Sequence, residues 1–152
     1  MSKLHLVLDS SMKQFNQAIQ FYNFDKINME CYKKLRLVSF FVQHETDVQK
    51  MFLDPQGNDT NKSFKPLHIH CSLLNKDYNY MNGKKSDVLA VIYPNLNLQK
   101  AYMKIYAVKL DSGDSKLITP SSYMQLYLTH SNGEIVDKRG KFYLVYEFEF
   151  SQ

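Results

Sequence analysis

The chain has 152 residues, with 19 Lys and Arg against 15 Asp and Glu and a formal net charge of +4. Hydrophobic residues at 44% and charged residues at 22% fit one ordinary globular domain, 1–152, long enough to bury a sizeable core without staples. Two cysteines, Cys31 and Cys71, exclude a disulfide framework and are expected as buried free thiols; no run approaches the roughly 18 apolar residues of a membrane-spanning helix. The lysines are scattered, so a nucleic-acid partner is not expected.

Residues 1–10, "MSKLHLVLDS", carry too short an apolar run for a signal peptide, which points to synthesis outside the secretory pathway. Their alternation places Leu4, Leu6 and Leu8 on one strand face and His5 and Val7 on the other. "QAIQFYNFDKINME" mixes helical and period-two signals; Ile19, Phe21 and their β-favouring neighbours predict extended structure after about Ala18. "KLRLVSFFVQ" (34–43) opens as an alternation and becomes a continuous apolar run, as a strand covered on both faces does. A short helical turn is expected over 47–53, capped by Thr46 or Asp47, ahead of a polar loop from Asp54 to Lys65.

Strands resume at "PLHIHCSLL" (66–74), followed by a polar loop in which Asn82-Gly83 marks a tight turn. "DVLAVIYP" (87–94), "AYMKIYAVKL" (101–110) and "SYMQLYLTH" (122–130) read as further strands. The chain then makes two turns around the short "IVD" and ends in "KFYLVYEFEF". Phe142, Leu144, Tyr146, Phe148 and Phe150 should face an opposing sheet, with Glu147 and Glu149 on a wet outer face. Burying those five side chains contributes on the order of 8–12 kcal/mol, so truncation before Phe142 is expected to unfold the domain. Eight or nine strands with at most one short helix cannot form parallel βαβ units. The predicted class is therefore all-β: an antiparallel sandwich, with long excursions after the third and fourth strands that suit a jelly roll.

Few residues suggest chemistry. His68 and His70 of "HIHC" project from one strand face, the spacing of a cupin-type metal pair, but Leu74 and Asn75 stand where that motif requires a Glu, and His130 is the only later histidine. No metal or cofactor is expected, and His68 and His70 are only weak candidate ligands. Ser10-Ser11 lacks a nucleophile elbow, and Glu147/Glu149 read as solubility residues on an alternating strand. No phosphate loop or calcium loop is present. Tyr78, Tyr80, Met81, Tyr93, Leu96, Leu98 and Tyr102 are too apolar for plain loops and form the candidate self-association surface.

Three segments, taken in order, resemble the penton-type, single jelly-roll minor capsid proteins of virophages, polinton-like (adintovirus) elements and adenovirus-like DNA viruses. "LHLVLDSSMKQFNQAIQFYNFDKINMECYKKLRLVSFFV" is similar to that family's opening strands and Ser pair. "PLHIHCSLLNKDYNYMNGKKSDVLAVIYP" is similar to its middle, and "YMQLYLTHSNGEIVDKRGKFYLVYEFEF" to its ending. The chain departs from the family at Ser151-Gln152, where a basic residue is usual, and it lacks room for the large insertion of some members, so a receptor-binding or fibre-holding role is not implied. The resemblance implies a structural virion protein, not an enzyme. It would form a homo-oligomer, a pentamer at icosahedral five-fold vertices, among double jelly-roll major capsid proteins, assembled inside the host cell, with no small-molecule substrate. The alternative reading is a jelly-roll binding module, lectin-like or tumour-necrosis-factor-like, recognising a glycan or protein partner through exposed tyrosines.

Overall fold

A computed structural model describes residues 3–11, 19–44, 48–52, 65–94, 104–110, 114–136 and 142–152. Strands dominate: β1 Lys3–Asp9, β2 Ile19–Asn23, β3 Lys34–His44, β4 Leu67–Cys71, β5 Tyr80–Met81, β6 Lys84–Lys85, β7 Val88–Ile92, β8 Ile105–Lys109, β9 Lys116–Leu117, β10 Tyr123–His130 and β11 Phe142–Ser151. Helix is confined, among the described residues, to one α-turn at Gln49–Phe52 and a 3-10 turn at Met29–Cys31, whose Asn28 side chain accepts from the Glu30 amide at 3.1 Å. The α-turn falls inside the predicted 47–53 segment; its expected caps, Thr46 and Asp47, and the 54–64 part of the expected loop lie outside the described residues.

The eight long strands divide between two antiparallel sheets, ordered β1-β11-β3-β8 and β2-β10-β4-β7, the chain changing sheet at every step except from β4 to β7, and β9 also pairs with β3. First and last strands lie side by side in one sheet while the second and the seventh long strand do so in the other. That is jelly-roll winding, and it follows from long connections between strands that cannot pair as hairpins. The core lies between the sheets. Leu6, Leu8, Leu37, Phe40, Val42, Leu144, Tyr146, Phe148 and Phe150 come from the first, and Leu67, Ile69, Leu89, Ile92, Met124, Leu126 and Leu128 from the second. Phe148 and Tyr146 rings lie 5.8 Å apart, and Phe150 meets Phe24, just past β2, edge to face at 5.8 Å. The C-terminal strand therefore buries the face expected of it, with Phe142 half-buried at its start.

Three expectations need correction, on β3, Cys31 and Glu149, and β2 takes a phase the sequence did not specify. The continuous apolar run of β3 does not come from cover on both faces. Glu147 pairs with Ser39 and Phe148 with Leu37, so Val38 is an inserted bulge residue and the inward phase jumps from Leu37 to Phe40. In β2 the phase is the reverse of what hydrophobicity suggests: Gln20 is buried and Phe21 exposed, because Leu126 and Met124 of β10, opposite Gln20 and Tyr22, face the core. Cys71 is buried but Cys31, in the 3-10 turn, is exposed. Glu149 is not a wet residue: it is covered by Arg36, Lys3 and His5.

Asn82 and Gly83 take φ of 52° and 76°, the mirrored turn that a two-residue β5–β6 hairpin needs, and one that a β-branched residue could not adopt cheaply. One flank of the sandwich is closed by β9: Ile118 bridges to Leu74, and Lys116 Nζ donates to the Val88 carbonyl at 2.8 Å across the gap between sheets. Burial lowers the pKa of Lys116, opposed by the nearby Asp114 charge.

Candidate functional site

The residues that face outward on the two sheets, not the interior, carry the surface chemistry. On the β1-β11-β3-β8 sheet, one half of the outer face is an ion-pair lattice. Arg36 forks onto Glu149 through Nε at 3.1 Å and Nη2 at 3.4 Å. Lys3 Nζ lies 3.5 Å and His5 Nε2 3.2 Å from the same carboxylate, and the Ser39 hydroxyl donates to Glu147 at 2.9 Å. The Arg36 hydrogen bonds, against a smaller opposing effect of burial, hold the Glu149 carboxyl below the usual carboxylate range.

The other half of that face is apolar. Val145, Phe41 and Ala107 sit opposite one another across three strands, with Tyr143 and Ile105 flanking Gln43 one row further on. Ile105 is 50% exposed, Tyr143 40% and the neighbouring Val7 60%. Phe41 and Tyr143 meet edge to face at 6.3 Å. Sequence reasoning missed this patch, because its members lie on four strands and only the register joins them.

On the β2-β10-β4-β7 sheet, His70 is the centre of a closed polar cluster. Its Nδ1 lies 2.6 Å from Asp87 Oδ1 and its Nε2 2.8 Å from Thr129 Oγ1. Tyr127 lies flat on the imidazole at 4.4 Å, 8° from parallel, and donates its hydroxyl to Asp87 Oδ2 at 3.0 Å. The partners assign the roles: in neutral His70, Nδ1–H donates to the carboxylate and Nε2 accepts from the threonine hydroxyl. Burial alone would raise the Asp87 carboxyl, but the hydrogen bonds from His70 and Tyr127, with the charges of His70 and Lys76, hold it below its ordinary value. Burial, reinforced by Asp87, pushes the Tyr127 phenol up to about 12. His68 is lowered by burial and by its neighbour His70.

The order Thr129–His70–Asp87 has the connectivity of a nucleophile, base and orienter, yet it is built to stay put. Thr129 is only 3% exposed, and its strand is paired on both sides, with His68 and with the Ile135 bridge. Both His70 nitrogens are engaged by protein, so His68 and His70, with ring centroids 6.4 Å apart, do not converge on a common metal position. No group of three or more His, Cys, Asp or Glu that could hold a metal occurs among the described residues. The cluster pins β4, β7 and β10 together. Ser10 is likewise structural: its hydroxyl accepts from the Leu144 amide at 2.9 Å, extending the β1–β11 ladder.

The expected self-association residues separate into two groups. Tyr78, Tyr80 and Met81 surround the β5–β6 hairpin that follows the Cys71 end of β4, with Tyr78 69% and Tyr80 61% exposed. Tyr93 follows β7 beyond Ile92, opposite Leu67 at the other end of β4, and is 69% exposed. The five residues of β4 put about 16 Å between those ends. The inward Tyr106 hydroxyl of β8 donates to the Tyr93 carbonyl at 2.6 Å, tying the end of β7 to the other sheet through the interior. Leu96, Leu98 and Tyr102 lie outside the described residues.

No protein-family model matches the chain, and no curated protein matches it in sequence. Among solved structures, the chain is similar end to end to the mavirus penton protein. The TM-score is 0.65, the match covers 99% of both chains, and sequence identity is 5%. The fold is that of a penton-like jelly roll. At such identity the likeness lies in how the strands are wound, not in shared side chains. No helix among the described residues is long and apolar enough to cross a membrane.

Proposed function

We propose that this chain is a structural capsid subunit of the penton type, which assembles as a ring of five at an icosahedral vertex of a virion. The observation that carries the reading is the end-to-end correspondence with the mavirus penton protein, with 99% of each chain covered. A single jelly roll of matching extent, with no catalytic constellation open to a substrate among the described residues, suits a protein whose work is to fill space under symmetry. The double jelly-roll major capsid protein is its proposed neighbour, and bond-making is not part of its role.

A five-membered ring is a heterologous contact in which each subunit offers two unlike surfaces. Two unlike surfaces rich in exposed apolar groups are present. One is the Val145–Phe41–Ala107 row with Tyr143 and Ile105; the other is the Tyr78/Tyr80/Met81 hairpin at the opposite end of the sandwich. Burying uncharged rings and aliphatic groups removes apolar area from water with little loss of polar hydration, as the centre of a stable interface requires.

Size-exclusion chromatography with light scattering tests this reading. The purified 17.9 kDa chain is expected to run as a species of roughly 90 kDa, five copies, alone or when mixed with its major capsid partner. A stable trimer, or a monomer that joins no capsid assembly, would overturn it.

A further inference from the structure

A corner of the second sheet's outer face has chemistry unlike that of either apolar surface. At this corner the outward residues of β2 are Phe21 and Asn23, following Ile19, and those of β10 are Tyr123 and Gln125, ahead of Tyr127. Phe21 sits directly opposite Gln125, and Asn23 opposite Tyr123. Phe21 is 46% and Tyr123 52% exposed. The four side chains thus form a checkerboard in which each exposed ring has an amide across the ladder, about 5 Å away, and another two residues along its own strand. None of the four is charged, so the corner itself bears no net charge.

Two open concavities adjoin this corner. One, of about 260 Å³, is lined by Tyr22, Asn23, Phe24, Asp25, Lys26 and Ile27. The other, of about 300 Å³, shares Ile27 and extends to Pro120, Ser121 and Ser122, the residues leading into Tyr123. The backbone beneath is fixed: the Ser72 hydroxyl accepts from the Gln125 amide at 2.8 Å, and the Phe24 amide donates to the Ser122 carbonyl at 2.7 Å.

We propose that this corner binds a neutral saccharide. A pyranose presents an apolar C–H face and a rim of hydroxyls that both donate and accept. Exposed aromatic rings suit the first, and carboxamides, which carry donor and acceptor on one group, suit the second. The adjoining clefts give a second sugar unit somewhere to lie against Asn23, Asp25 and the Ser121/Ser122 turn. A subunit contact calls for contiguous apolar area with polar groups at the rim, which the Val145–Phe41–Ala107 row supplies and this checkerboard does not. A phosphate-bearing or acidic ligand would call for an excess of cations, whereas the clefts are lined by one lysine, Lys26, against two carboxylates, Asp25 and Glu30. The inference stands apart from the capsid reading: a monomeric lectin and a penton could both carry this site.

The test is a glycan array of neutral and sialylated oligosaccharides probed with the intact protein, followed by titration calorimetry on the best neutral hit. Binding to one or more neutral glycans is expected, unchanged between low and moderate salt. Phe21→Ala and Tyr123→Ala should each weaken it about tenfold, and Gln125→Ala should weaken it without removing a ring. All three side chains lie on the outer face, and an unchanged melting midpoint and oligomeric mass show that the variants remain folded; Asn23→Ala serves if one of them does not. The proposal is overturned if no neutral glycan binds above background, if only sialylated glycans bind, or if binding survives both ring substitutions. It is equally overturned if the ring substitutions change the oligomeric mass while no glycan binds, which would make this corner a subunit contact.

Discussion

The apolar row Val145–Phe41–Ala107 on one outer face has no polar group between its members, whereas on the other outer face the exposed rings Phe21 and Tyr123 each sit across from an amide. The same antiparallel scaffold underlies both. Period-two alternation hands the inward positions to the core and leaves every second residue free to set what the surface does. Where those residues are uniformly apolar, the face gains most by excluding water against another apolar surface. Where rings and amides alternate, the face keeps hydrogen-bonding groups that full burial would leave unsatisfied. A third arrangement, the His70 cluster, shows outward polar residues that have turned to one another and fasten the sheet.

The contrast can be broken most severely at the apolar row. Ile105→Glu combined with Ala107→Glu places two charges in the proposed contact and is expected to convert the assembly wholly to monomer by light scattering. Both positions are exposed, so the melting free energy of the isolated subunit should stay within about 0.5 kcal/mol. The same pair of substitutions should leave saccharide binding at the Phe21 corner unaltered.

The His70 cluster gives the next effect. His70→Ala leaves Asp87 and the buried Thr129 hydroxyl without their shared partner and should destabilise the fold by about 2 kcal/mol in urea titration. The cluster also sets the acid limb of stability. The Asp87 carboxyl is held below its ordinary value, so the unfolded chain binds the proton more readily; the stabilisation is complete above about pH 4 and is lost as pH falls through the native value. His68 is also lowered, from 6.5. Below that pH the unfolded chain again takes up the proton first, and stability begins to fall. His68→Asn should abolish the decline that starts between pH 7 and 6, and Asp87→Asn should flatten the one below about pH 4.

The smallest effect compares two tyrosines. Tyr127, outward, gives its hydroxyl to Asp87 at 3.0 Å; Tyr146, inward and fully buried, has a hydroxyl with no hydrogen-bond partner among the described residues, and burial raises its phenol. Removing each oxygen should therefore have opposite signs in the same denaturation assay. Tyr127→Phe should cost up to about 1 kcal/mol, and Tyr146→Phe should stabilise by about 1 kcal/mol.

Much of the fold was legible in the sequence, because strand alternation needs only local information. β1, β4, β7, β10 and β11 fall where period-two patterns or apolar runs place them, and Asn82-Gly83 makes the turn its residues require. What alternation could not reveal was phase. Val38 is one apolar residue among several, and only its unpaired position opposite β11 marks it as a bulge. Gln20 points inward because β10 dictates the register, so the sequence hid the outward Phe21. The surface clusters were less legible still. Asp87 lies 17 residues and Thr129 59 residues from His70, and no spacing rule joins them. Tyr78 and Tyr93, close in sequence, are carried to opposite ends of the sandwich by β7.

The central claim is that copies of this sandwich close into a five-membered ring through the apolar outer row and the tyrosine hairpin. Electron cryomicroscopy of the purified assembly tests it most directly. The account predicts five-fold rings in which Phe41, Ile105 and Val145 of one subunit, and Tyr78 and Tyr80, are covered by neighbours. Rings of another symmetry, or five-fold rings that leave both surfaces in solvent, would contradict it.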